Sequence, residues 1–143
     1  MPNLHPVLVH YPIALLSVSL FFAIFAHITG KDGVSRAAWW MQVTGTLGLA
    51  ITVLTGILAQ HSVTIASGAR DTFDAHQQLA FLTSILFALL LYWGIVSRTK
   101  HPRRYPALYL LLFFLAVCTL LIGGWFGGEL VYRFGTGVAA GGR

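Results

Sequence analysis

Four apolar runs, over residues 8–29, 37–60, 75–97 and 106–132, take up most of this 143-residue chain and constrain everything else about it. Each exceeds the roughly 20 residues that an α-helix needs to cross a hydrocarbon core. In lipid a backbone must satisfy its own hydrogen bonds, so each run is expected to be helical. Only 9% of the residues are charged, whereas soluble domains carry about 25%. The expected class is therefore all-α: an up-and-down four-helix transmembrane bundle that uses the chain as one domain. The first run has no basic residue ahead of it and is longer than a signal-peptide core, so it is expected to remain as a span.

The net charge of +5 does not point to nucleic acid, because the cations sit in the short links between spans. Short cytoplasmic links carry the excess of Lys and Arg. The first link holds Lys31 and Arg36, and the third holds Arg98, Lys100, Arg103 and Arg104. The other side has Arg70, Arg133 and Arg143. Both termini are thus expected outside, in the periplasm of a bacterial inner membrane. The lone Cys118 lies within the fourth run, so neither a disulfide nor a thiolate cluster is proposed and it reads as a packing residue.

Ionisable residues in membrane helices are functional candidates by default, and His5, His10, His61 and His76 all fall at or near the outer face of this topology. His27 and His101 belong to the other side. A first helix starting near Leu4, with Asn3 as N-cap and Pro6 in its first turn, places His10 deepest of the four, beside a bend at Pro12. Asp74 and Gln77 read as a capping box that sets His76 in the first turn of the third helix. There the positive end of the helix dipole favours a neutral ring with a lone pair for a metal. His10 stands 46 residues before Gly56 and His76 stands 47 before Gly123, which suggests two parallel copies of a helical hairpin.

Helices one and three are diagonal in such a bundle, so His10 and His76 are expected to confront each other and to ligate the iron of a b-type haem. Gly56 on helix two and Gly123, Gly124, Gly127 and Gly128 on helix four lie at that level and offer clearance for a macrocycle, as well as small-residue packing faces. Arg70 and Arg133 are candidate partners for propionates. The expected function is an electron-transfer protein or redox-complex subunit exchanging electrons with quinone and with membrane or periplasmic redox partners. The alternatives are a copper, zinc or iron ion on His5, His10, His76 and Glu129, or a structural subunit that self-associates or docks other membrane proteins through its glycine faces. No Ser/His/Asp set, phosphate loop or carboxylate pair points to an independent enzyme.

Two stretches together carry a family resemblance: Leu4-His5-Pro6-Val7-Leu8-Val9-His10-Tyr11-Pro12-Ile13-Ala14-Leu15 at the N-terminus, and Gly127-Gly128-Glu129-Leu130-Val131-Tyr132-Arg133-Phe134-Gly135-Thr136-Gly137-Val138 at the C-terminus. The chain resembles, over nearly its whole length, the four-span membrane family catalogued as domain of unknown function 2231. The resemblance implies a bacterial inner-membrane protein, and the joining of related domains to haem or iron–sulfur modules implies redox work. His5, Pro6, His10 and Pro12 match the opening motif, His76 the third-helix histidine, and Gly128 and Tyr132 the closing motif. Phe134 stands where many relatives are expected to carry histidine.

Overall fold

The computed structural model describes residues 4–60, 63–98 and 105–137. Asn3, His61, Lys100, His101, Arg103, Arg104, Val138 and Arg143 lie outside the described residues. The four expected spans are built from α1 (His5–Leu8) with α2 (His10–Thr29), then α3 (Asp32–Gln60), α4 (Arg70–Arg98) and α5 (Ala107–Tyr132). A 3-10 turn, Ser67–Ala69, leads into α4. All four are long and apolar enough to cross a bilayer.

The helices extend further than the apolar runs. α3 starts at Asp32 and α4 at Arg70, each with an aspartate in its first turn, where a carboxylate offsets the positive end of the helix dipole. Apolarity marks only what lies in lipid and misses these polar turns. Asp74 is consequently interior to α4 and not its N-cap, and His76 sits in the second turn. α1 begins after Leu4, which makes no side-chain capping bond. At the other end of the first span, Gly30 closes α2 in the left-handed conformation (φ 68°) and donates its N–H to Ala26 O.

Pro12 explains the interruption between α1 and α2. It has no N–H to give to Leu8 O, one turn back, which costs the helix a bond. Thr52 Oγ1 on α3 donates to that carbonyl instead, at 3.3 Å.

The first two spans pack extensively against each other, as do the last two. The two hairpins then meet along α2 against α5 and α3 against α4. α1/α2 and α4 are thus diagonal, as are α3 and α5. Leu16, Phe87 and Phe113 form the middle of the core with no exposed surface. Large apolar side chains such as Phe21 (65% exposed), Leu58 (71%) and Trp125 (71%) point outward on all sides. Only lipid can cover that much apolar surface.

The hairpins repeat, in a sharper register than the histidine–glycine spacings suggest. Buried positions recur after 71 residues (83 less 12, 87 less 16): Pro12 with Thr83, Leu16 with Phe87, Ser19 with Leu90, and Ala23 with Gly94. On the return helices Ala38 matches Tyr109, Gln42 Phe113, Gly45 Ala116, Leu49 Leu120 and Thr52 Gly123. Both copies run in the same direction, so a pseudo-two-fold axis runs along the bundle. Residue 76 corresponds to residue 5 in this register.

Candidate functional site

The end that carries both termini, called the terminal end below, brings two histidines together on the pseudo-two-fold axis. They are His5, first residue of α1, and His76 of α4. Their ring centroids are 6.3 Å apart with the planes at 77°. The diagonal pairing expected of His10 and His76 is made by His5 instead. His10 lies on the exposed face of α2, five residues and so 500° of helix rotation from His5, which is about 140° around the axis.

Each ring is held in the same way. His5 Nδ1 is 3.0 Å from Thr52 O, and His76 Nδ1 is 2.8 Å from Gly123 O; in both pairs the partner lies 47 residues onward. A carbonyl oxygen only accepts, so both Nδ1 atoms carry a proton. Thr55 Oγ1 lies 3.4 Å from the same His5 nitrogen and donates to Thr52 O at 2.9 Å, tying that carbonyl into a local network. A ring N–H given to a backbone carbonyl is the arrangement that orients metal-ligating histidines.

The ring seats repeat too. A methyl group on Gly56 would stand 2.9 Å from His5 Cε1, and one on Gly127 would stand 3.1 Å from His76 Cε1. Both are tighter than ordinary van der Waals contact, so each ring lies against a helix backbone that only glycine leaves bare. Gly56 and Gly127 are four residues beyond Thr52 and Gly123, one helical turn along. Each hairpin therefore builds a whole half-site: a histidine on its first span, and a carbonyl and a glycine on its second. Gln77 Nε2 donates to Gln60 Oε1 at 3.3 Å, bridging α4 and α3 near the site.

The other residues singled out in the sequence are distributed differently. A methyl group on Gly124 would stand 3.3 Å from Ile13 Cδ1 of α2, so those two helices approach closely there, whereas one on Gly128 would meet only Tyr132 of its own helix, at 4.0 Å. Glu129 accepts from Arg133 at 3.3 Å, one turn along the helix, and the guanidinium also lies over the Phe134 ring. Arg70 is exposed at the start of α4. Among the described residues no three His, Cys, Asp or Glu side chains cluster as a metal-binding group. Among the described residues the site brings together two imidazole rings with no carboxylate beside them.

Thr52 and the rank of His5 above His10 were missed from sequence, and Gly127 was named there only as one of four glycines on the last helix. One signal was available: His5 to Gly56 and His76 to Gly127 are both 51 residues. The shorter His10 and Gly123 spacings obscured it.

The family model described as "Predicted membrane protein (DUF2231)" matches residues 1–140 of the chain. No curated protein and no solved structure matches it.

Proposed function

The chain belongs to the DUF2231 family of predicted membrane proteins, a description that assigns no reaction, and we propose that it is a membrane metal protein whose centre is ligated by Nε2 of His5 and Nε2 of His76. The observation that carries this reading is the matched pair of Nδ1–carbonyl bonds, which orients the two rings in the same way on the two hairpins. His5 and His76 would hold the metal through one imidazole each, and the metal would supply Lewis-acid or redox chemistry there.

In its haem form the centre would be a b-type haem that His5 and His76 would hold, and the haem would supply one-electron chemistry. The chain's own contribution is to hold both tautomers and to keep the pair among helices. The distribution of Lys and Arg supports a terminal end that faces outside, into the periplasm of an inner membrane. A centre there would exchange electrons between quinone and periplasmic or membrane redox partners. In its ion form the same pair binds copper, zinc or iron without a macrocycle. Arg70 and Arg133 remain candidate propionate partners for the haem form only.

Protein purified in detergent, with its elemental content and visible spectrum recorded, tests the reading. Bound metal is expected in the wild type, lost in His5→Ala and in His76→Ala, and kept in His10→Ala. Metal-free wild-type protein, or equal loss from all three variants, would overturn it.

A further inference from the structure

Resting on the quinone-linked reading proposed above, we infer that a quinone or quinol headgroup docks on the seam between α3 and α4, at the amides of Gln60 and Gln77. The two half-sites repeat, but their surroundings do not. In the register of 71 residues Gln77 corresponds to Pro6 (77 less 71) and Gln60 to Val131 (60 plus 71). One side of the histidine pair therefore carries two amides where the matching side, toward the first span and α5, carries a proline and a valine. Neither of those side chains forms hydrogen bonds. Gln77 directly follows His76, and Gln60 stands one turn beyond Gly56, the seat of His5, on the same face of α3. The polar pair thus borders the site on one side, and it bridges the two hairpins.

The amides set the chemistry of the ligand. A single bond joins them, from Gln77 Nε2 to Gln60 Oε1 at 3.3 Å, and among the described residues neither amide is committed elsewhere. Gln60 Nε2 is left to donate and Gln77 Oε1 to accept. A quinone carbonyl needs the donor and a quinol hydroxyl needs the acceptor, so one pair serves both redox forms. Charge favours the same ligand. The amides are neutral, and the charged residues on that stripe of α4 toward water, Asp74 and Arg70, are both exposed and opposite in sign. An anionic headgroup finds no net attraction there. Toward the bilayer centre the stripe continues as Phe81 and Ser84 on α4 and Ile57 on α3, at helical spacing. Phe81 is 43% exposed, and Ser84 turns its hydroxyl back to Ala80 O at 2.8 Å, so an isoprenoid tail would meet an apolar track. Gln60 and Gln77 are themselves partly exposed, which makes the seam reachable from lipid.

Photolabelling of the full-length protein in detergent with an azido-quinone, mapped by mass spectrometry of its peptides, tests this, with decylubiquinone and a zwitterionic phospholipid as competitors. The label is expected on α3 and α4 near Gln60 and Gln77, displaced by decylubiquinone and not by the phospholipid. Gln60→Leu and Gln77→Leu should each weaken decylubiquinone about 10-fold, the effect of one unmade neutral hydrogen bond. Val131→Leu, at the matching position on the other side, should bind as the wild type does. Thermal unfolding is followed on the same samples: leucine variants that lose stability but keep the wild-type affinity would show the amides to be a clasp between helices and overturn the inference. Label on the first span or α5, or label displaced by the phospholipid alone, would overturn it too. Metal content separates this inference from the reading it rests on. Metal-loaded protein that takes no quinone would overturn the docking site and leave the metal centre standing, and metal-free protein labelled at Gln60 and Gln77 would do the reverse.

Discussion

The two ends of the bundle use the same repeat in opposite ways. At the terminal end the copies agree in chemistry: His5 and His76 face each other, Thr52 O and Gly123 O hold them, and Gly56 and Gly127 seat them. At the opposite end the copies agree only in burial. Gln42 corresponds to Phe113, Ala38 to Tyr109, Ser19 to Leu90 and Ala23 to Gly94, all buried and none alike. The unlike residues there build a one-sided polar knot. Tyr109 donates its hydroxyl to Gln42 Oε1 at 2.8 Å, with Leu90 O a second acceptor at 3.3 Å. Tyr105 stacks on Tyr109 at 5.2 Å, and Ser19 Oγ donates to Ala38 O at 2.7 Å. Trp39 fills the space left by Gly94. A core asks only for volume and satisfied polar groups, so its two copies are free to diverge. A site that uses two equivalent rings, as proposed for His5 and His76, is not.

The comparison can be broken at several places. The largest effect is expected at the histidines, where either alanine variant removes half the donors and abolishes binding, as read by metal content. Gly94→Leu should come next, destabilising by about 3 kcal/mol or more because the Trp39 ring already occupies the space and a buried overpacked side chain forces both helices to shift; thermal unfolding in detergent measures it. The matched position Ala23→Leu probes the same register in the other copy and tests whether burial there is equally strict.

Smaller effects sharpen the contrast. Gly56→Ala and Gly127→Ala should weaken binding by similar factors, about 10-fold, because the seats are equivalent; a large difference between them would show that the two half-sites are not. The opposite end should respond unequally. Tyr109→Phe leaves the fully buried Gln42 amide without the donor to its Oε1, with its Nε2 already lacking a partner among the described residues, and should cost about 1–2 kcal/mol. Gln42→Leu removes the unpartnered amide while Leu90 O remains for the hydroxyl, and should be near neutral. Least of all, Glu129→Gln should change stability by less than about 0.5 kcal/mol, since its exposed pair with Arg133 is screened by water.

Much of the fold was readable because membrane burial writes itself as composition. Runs of 22 or more apolar residues have one structural solution in lipid, and the order of four such runs joined by short links leaves little choice but an up-and-down bundle. Helix starts were less readable: Asp32 and Arg70 begin their helices in polar sequence, where length and hydropathy carry no signal. The candidate site was half readable. His76 was singled out and a partner was expected on the first span, yet His10 was preferred to His5 because depth was judged from distance along the chain, and it is His5 that lies beside His76.

What the sequence by itself determined was the number of spans and their helical state, both of which follow from apolar length. Which face of the first span turns inward was decided only by tertiary structure. Five residues separate His5 from His10, and five residues rotate a helix by about 140°, so only one of them can meet His76. The packing of α1 and α2 on α3, with Leu16 seated at Gly45, Tyr11 at Gly48 and Thr52 bonded to Leu8 O, selects His5. Those contacts join residues about 30 to 45 apart along the chain, and no local pattern in either helix encodes them.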